Sequence, residues 1–110
     1  MKTIPHKNTL KWGMLVVMMM SPAVALADLQ LALKKQCMNC HQMESKRVGP
    51  PFKAIAQRYA GVAAAMEPVL ARKIRAGGKG AWGEVGMPAM SQVSEAEAQQ
   101  LAQWILQGRP

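Results

Sequence analysis

The apolar positions of the chain fall into segments of helical periodicity that are separated by glycine and proline. Spacings of three and four residues predict four helices. The last helix has the clearest signals, because Ser94 is a strong N-cap and Glu97 completes a capping box before the apolar run. The other three are predicted from about Leu29 to Cys40, from Phe52 to Gly61, and from Glu67-Pro68 to Gly77. No segment shows the alternation typical of a strand, so the predicted fold class is all-α.

The first 27 residues have the organisation of a secretory signal peptide. Lys2, Lys7 and Lys11 form a basic head, residues 12–20 are mostly apolar, and residues 25–27 form a small-x-small cleavage site. The apolar run is shorter than the ~20 residues that a membrane-spanning helix needs. We therefore predict cleavage and export to the periplasm, with no stable membrane insertion afterwards. The alternative is a signal that is retained as an anchor.

Cleavage would leave one domain, residues 28–110, with 83 residues. The whole chain has 14 basic and 6 acidic residues and a net charge of +8; removal of three signal lysines leaves 11 basic residues and a charge of +5. A sequence pI near 10.0 often indicates nucleic-acid binding. Here the basic residues are scattered over helix faces, so no nucleic-acid partner is predicted. A core of this size supplies only about 3 to 5 kcal/mol, which favours a buried ligand.

The CxxCH motif over residues 37–41 is the most informative feature of the chain. Two thiols and an imidazole at this spacing are typical of covalent attachment of a c-type haem. Cys37 and Cys40 would bond to the haem vinyl groups, and His41 would bind the iron. A zinc site needs about four ligands, and the other histidine, His6, lies in the predicted signal. A thioredoxin-like dithiol would lie near a βαβ pattern, which is not predicted. The predicted cofactor is one covalently attached haem c.

A glycine-rich stretch over residues 76–90 is predicted to cross the other face of the haem as a strap. Iron bound by His41 on one side needs a sixth ligand, and a methionine thioether is the soft, neutral candidate. Three methionines of the predicted mature chain are excluded because they lie beside His41 or begin a helix: Met38, Met43 and Met66. Met87 and Met90 remain. Met87 is favoured because Pro88 restricts the backbone next to it, and Met90 stays open as a substitute.

These motifs resemble those of the small bacterial class I cytochromes c, with mature chains of roughly eighty residues. The resemblance extends from Leu31 to Leu106 and rests on the stretches 37–41, 48–50, 80–83, 87–88 and 101–106. It implies a small cytochrome c fold with about four helices around one haem. It also implies that the carbonyl of Pro50 accepts a hydrogen bond from His41, that Trp82 donates its indole N–H to a haem propionate, and that Lys73 pairs with the same propionate.

The function implied by the resemblance is one-electron transfer. If His41 and Met87 both bind the iron, no coordination site is left for a substrate, so the chain is predicted to be an electron carrier rather than an enzyme. It would shuttle electrons between respiratory complexes or to a terminal oxidase or reductase. Gly86 stands where the family often has a proline before the ligand methionine, and Met90 stands where it often has an asparagine that supports the sulfur. The alternative is therefore a gas sensor or peroxidase-like enzyme with a displaceable sixth ligand, and a subunit docked into a larger oxidoreductase is a third possibility.

The predicted partners are redox proteins, an electron donor and an electron acceptor with acidic docking surfaces. Five basic residues cluster in sequence around the CxxCH motif: Lys34, Lys35, Lys46, Arg47 and Lys53. They would form a cationic rim that steers the encounter with an acidic partner. The alternative is that they are solvated positions on helix faces. The domain is predicted to be a monomer.

Overall fold

The computed structural model describes residues 2–4 and 23–108, so most of the predicted signal peptide lies outside the described residues. The described helices are α1 (Ala23–Lys34), α2 (Phe52–Arg58), α3 (Ala63–Ala76) and α4 (Glu95–Gln107). Two short strands, β1 (Gly78–Gly80) and β2 (Gly83–Met87), connect α3 to α4. None of these helices is long and apolar enough to cross a membrane. The mainly helical fold class is confirmed.

The bounds predicted for the first helix were wrong at both ends. Helix α1 begins before the predicted residue and ends at Lys34, and the CxxCH motif lies beyond it in a 3-10 helix over Cys37–Asn39. Gln36 separates the two because its φ of 65° is left-handed and cannot continue an α-helix. The motif therefore lies on a tight turn, closed by a 3.0 Å hydrogen bond from the His41 amide to the Cys37 carbonyl.

The start predicted for the third helix was also wrong. Helix α3 begins at Ala63, and Pro68 lies inside it instead of opening it. Alanine has the highest helix propensity, so the alanines at 63–65 extend the helix in the N-terminal direction. The second helix, α2, starts at Phe52 as predicted but ends at Arg58, before Gly61. Pro51, with extended backbone, precedes α2.

Helix α4 is the centre of the core and packs against α1, α2 and α3. Its capping box is present, since the Ser94 hydroxyl accepts from the Glu97 amide and the Glu97 carboxylate accepts from the Ser94 amide. Its buried face includes Leu101, which is fully buried, and Trp104. Trp104 meets Phe52 of α2 edge to face, with ring centroids 5.5 Å apart. This pair fixes α2 on α4.

The glycine-rich stretch forms a β-hairpin, although no strand was predicted there. Strands β1 and β2 are antiparallel, with Gly78 opposite Met87 and Gly80 opposite Gly83. Glycine is required where the hairpin leaves α3, because Gly77 has a φ of +72°. A Cβ atom at this position would also lie 2.6 Å from the carbonyl oxygen of Met87. The close approach places Met87 directly beside the end of α3.

Candidate haem site

A cavity of about 450 Å³ lies between the CxxCH turn and the β-hairpin. This volume is within the range typical of small-molecule and cofactor sites. Its floor is apolar and comes from three helices, with lining residues Phe52, Ile55, Leu70, Ile74, Leu101 and Ile105. The hairpin residues 78–87 all line the opposite side. The cavity therefore has one wall made by packed helices and one made by exposed strands.

The two cysteines line the cavity from the CxxCH turn and are half-buried, with Cys37 at the start of the 3-10 helix and Cys40 directly after it. In a 3-10 helix, side chains three residues apart are eclipsed, so Cys37 and Cys40 are presented on the same side of the turn. Burial raises the pKa of the Cys37 thiol, and a backbone hydrogen bond opposes the shift. The turn thus offers two neighbouring thiols to one ligand in the cavity.

His41 is held in place by three neighbours. Its Nδ1 lies 2.8 Å from the carbonyl oxygen of Pro50, and its ring stacks on Phe52 with centroids 5.0 Å apart and planes 19° from parallel. A Cβ atom at Gly49 would lie 2.5 Å from the imidazole Cε1, so glycine there makes room for the ring. Because a carbonyl can only accept, the proton belongs on Nδ1. The Nε2 lone pair is then free to bind a metal.

The two candidate methionines are in different positions. Met87 ends β2 and lines the cavity, whereas Met90 is not among the cavity-lining residues. The Met90 amide donates to the carbonyl of Ile74 at 3.1 Å, and its sulfur lies 4.0 Å from the Gln92 side-chain nitrogen. Both methionines pack against the hydrophobic core. The position of Met87 favours it over Met90 as the sulfur ligand.

Trp82 and Lys73 both line the cavity, Trp82 from the hairpin turn and Lys73 from α3. The Trp82 side chain is 41% exposed. The guanidinium carbon of Arg58 lies 4.5 Å from the centroid of the Trp82 ring, and Arg58 donates a hydrogen bond to the carbonyl of Ala81. The structure thus brings the predicted site residues to one cavity: Cys37, Cys40, His41, Pro50, Lys73, Trp82 and Met87.

A model of the family described as cytochrome c matches residues 29–109 of the chain. The chain belongs to the cytochrome c family. Cytochrome c-552 of Hydrogenobacter thermophilus is 45% identical over 97 residues, which cover 88% of this chain and 97% of that protein. Cytochrome c-552 of Nitrosomonas europaea is 49% identical over 82 residues, which cover 74% of this chain and 79% of that one. The resemblance to small class I cytochromes c is thereby confirmed.

The fold agrees with solved structures of the family. The crystal structure of wild-type cytochrome c552 from Nitrosomonas europaea superposes with a TM-score of 0.69 at 46% identity. The match covers 74% of this chain and 99% of that one. The class 1 cytochrome MtoD from Sideroxydans lithotrophicus superposes with a TM-score of 0.60 at 26% identity. The helical arrangement around the cavity is thus that of a small cytochrome c.

Members of the cytochrome c family carry covalent haem, and the cavity fits this group. Its lining includes two thiols that could bond to the macrocycle and an imidazole and a thioether that could bind iron, which is the set that c-type haem uses. Gly49 leaves the space that the imidazole occupies, and the apolar floor suits a flat macrocycle. The chain therefore binds one covalent c-type haem, as predicted, and is a small electron carrier like other members of its family.

Charged residues around the cavity are mainly basic. Lys46, Lys73 and Lys79 line it together with one acidic residue, Glu84. Lys46 and Lys79 are exposed, and Lys73 is half-buried. The two haem propionates would therefore meet a locally positive environment. Lys73 and Trp82 both line this cavity, and their roles as partners of a propionate stay predictions.

Sequence reasoning did not identify Arg58 as part of this site. The one local signal was a cation in the last turn of α2, a position that is also explained by the helix dipole. Its partner Ala81 is 23 residues away in the sequence. Only the tertiary fold brings the two together.

Proposed function

We propose that the chain is a periplasmic one-electron carrier that shuttles electrons between respiratory complexes or to a terminal oxidase or reductase, and that it is not an enzyme. The observation that carries the proposal is that the cavity has a donor side chain on each wall, His41 on the CxxCH turn and Met87 on the hairpin. With both bound, no coordination position is left for a substrate. In this proposal Cys37 and Cys40 hold the haem covalently.

The haem iron supplies a one-electron couple between its ferrous and ferric states. His41 offers Nε2 because the Pro50 carbonyl holds the proton on Nδ1, and this bond also raises the basicity of the ring. The neutral thioether of Met87 and the apolar floor would favour the less charged ferrous state and so raise the reduction potential. Phe52 stacks on the imidazole and would help to hold its orientation in both oxidation states.

Burial near the predicted cleavage site supports removal of residues 1–27. Leu26 is 61% exposed and Ala27 is exposed, whereas Asp28 is only 8% exposed. The Asp28 carboxylate accepts a 2.9 Å hydrogen bond from Gln100 of α4. Asp28, the first residue after the proposed cut, thus contacts the domain. The mature, exported chain should begin at Asp28, which mass spectrometry of the periplasmic fraction would test.

For partners, we propose acidic redox proteins that dock at the mouth of the cavity. Val48 and Val85 line the cavity and are 53% and 68% exposed, and Lys46 and Lys79 lie at the same mouth. Lys35 does not fit the predicted cationic rim, because its ammonium lies 3.1 Å from the Glu97 carboxylate and donates to the Gln92 carbonyl. The Lys35 ammonium is therefore paired inside the domain and is not expected to contact a partner.

We also propose that the domain is a monomer, which size-exclusion chromatography of the mature protein would test.

The test of the electron-carrier proposal combines potentiometry with ligand binding on the mature, haem-loaded protein. A redox titration should follow a single one-electron transition. Carbon monoxide should leave the ferrous spectrum unchanged at neutral pH, because His41 and Met87 would together leave no open site on the iron. Carbon monoxide binding or turnover of peroxide by the wild-type protein would contradict the proposal and favour the sensor or peroxidase-like alternative.

A further inference from the structure

The hairpin is attached to the rest of the domain at few points. All residues of β1 are exposed, and Met87 is the one residue of β2 that is half-buried. At the base, the Gly77 amide donates to the Lys73 carbonyl at 2.8 Å. Isolated two-stranded hairpins are marginally stable in water. The conformation of the hairpin therefore depends on the contacts of its tip, the turn at residues 81–82.

Arg58 makes the contact at the tip. It is the last residue of α2, and its guanidinium covers the Trp82 ring at 4.5 Å while donating to the Ala81 carbonyl. Within residues 23–108, this is the one hydrogen bond that joins the strands and their turn to another element. A guanidinium is suited to both contacts at once because it is planar and has several donors.

We propose that Arg58 is a positioning residue, a latch that holds the hairpin tip over the cavity and so keeps Met87 at the iron. This inference rests on the proposed function, in which Met87 is the sulfur ligand. Trp82 and Met87 lie on one continuous segment, so release of the tip frees the segment that carries the sulfur. The base at Gly77 alone would leave the turn free to move away from α2.

The test is hydrogen exchange of the amides over residues 78–87 in the mature, haem-loaded protein. Arg58→Ala should accelerate this exchange about tenfold, a change equivalent to about 1.4 kcal/mol. That size is expected for an exposed cation–π contact together with one hydrogen bond. In the same variant, the absorption of the iron–thioether bond should disappear at a lower urea concentration than the helical signal.

Arg72→Ala is the matched control, because Arg72 is an exposed arginine of α3 with no hydrogen bond to the hairpin in the described chain. It should leave exchange over 78–87 unchanged. Arg58→Lys keeps the charge but loses the planar group, so its exchange should lie between wild type and Arg58→Ala. If Arg58→Ala yields no haem-loaded protein, the exchange rates of Arg58→Lys test the latch instead.

The outcomes separate the latch from the function on which it rests. Exchange in Arg58→Ala equal to that in Arg72→Ala, or Arg58→Lys indistinguishable from wild type, would overturn the latch. A wild-type protein that lacks the thioether absorption or binds carbon monoxide would overturn the proposed function instead, whatever the exchange results.

Discussion

The two walls of the cavity differ in how they hold a ligand. The packed wall, which we define as Cys37, Cys40, His41, Phe52 and Leu101, is anchored in the core, with Phe52 3% exposed and Leu101 fully buried. The hairpin wall, residues 78–87, has exposed strands and is held at its base and tip. Regions with few buried contacts open first. The difference indicates that His41 is fixed by packing, whereas Met87 is held by a segment that can open locally.

The largest expected effect comes from removing the haem, which in our proposal is bound by residues of both walls. Replacement of both Cys37 and Cys40 by Ala prevents covalent attachment. We expect the haem-free domain to lose most of its tertiary structure, because a core of this size supplies only a few kcal/mol. Near-ultraviolet circular dichroism and thermal unfolding would measure the loss. Sharp, cooperative unfolding of the haem-free variant would show that the packed wall is stable alone.

The packed wall should respond strongly to a cavity in its core. Phe52→Ala removes the ring that contacts both His41 and Trp104. We expect the free energy of unfolding to fall by about 3–5 kcal/mol. Val85→Ala, on the 68%-exposed hairpin position, is the control and should change it by less than about 0.5 kcal/mol. Urea unfolding of the haem-loaded protein gives both values. Equal losses in the free energy of unfolding would show that the two walls do not differ in their contribution to stability.

The ion pair between Lys35, directly after α1, and Glu97 of α4 should make the stability of the domain sensitive to acid. The hydrogen bond from the Ser94 amide, and then the hydrogen bond from Lys35, lower the pKa of Glu97 below its usual 4.5. The stabilisation is thus present above pH about 4.5 and is lost as the pH falls through the lower folded-state pKa. Glu97→Gln should flatten the pH dependence of the urea midpoint in this range. Glu95→Gln, in the same first turn of α4, is the control and should keep the wild-type pH dependence of the urea midpoint.

Changes of charge at the cavity mouth should have the smallest effect on the stability of the domain. They should have a measurable effect on the rate of association with a partner. Lys46→Gln with Lys79→Gln should slow electron transfer with an acidic partner several-fold at low salt, and the difference should shrink above about 0.1 M salt, where the Debye length is about 10 Å. Lys34→Gln, exposed on α1 away from the cavity lining, is the control. Stopped-flow rates that are independent of salt in all variants would argue for an apolar contact instead.

Local signals predicted part of this structure. The capping box of Ser94 and Glu97 placed the start of α4 correctly because its partners are three residues apart. The end of α1 was missed because Gln36, a residue with no special preference, takes the left-handed conformation. The hairpin was missed because its strands are exposed and glycine-rich, without an alternating pattern. Likewise, the contact of Arg58 with Trp82 depends on tertiary structure, and the basic residue in the last turn of α2 does not by itself indicate it.

The residues predicted for the site all line one cavity, whereas the bounds of two helices around it were predicted wrongly. The CxxCH spacing is a covalent requirement of the cofactor, so it can be read without knowing whether residues 37–41 are α-helical. The choice between Met87 and Met90 could not be completed from sequence, since both lie in the same segment. Met87 lines the cavity and Met90 does not, which favours Met87 as the sulfur ligand.

The most direct test of the central claim, that iron is bound by His41 on the packed wall and Met87 on the hairpin wall, is the absorption spectrum of two methionine variants. In the haem-loaded protein, Met87→Ala should abolish the weak ferric absorption of the iron–thioether bond, allow carbon monoxide to bind and lower the reduction potential. Met90→Ala should leave all three nearly unchanged. The reverse pattern, with the absorption lost in Met90→Ala and kept in Met87→Ala, would contradict the account.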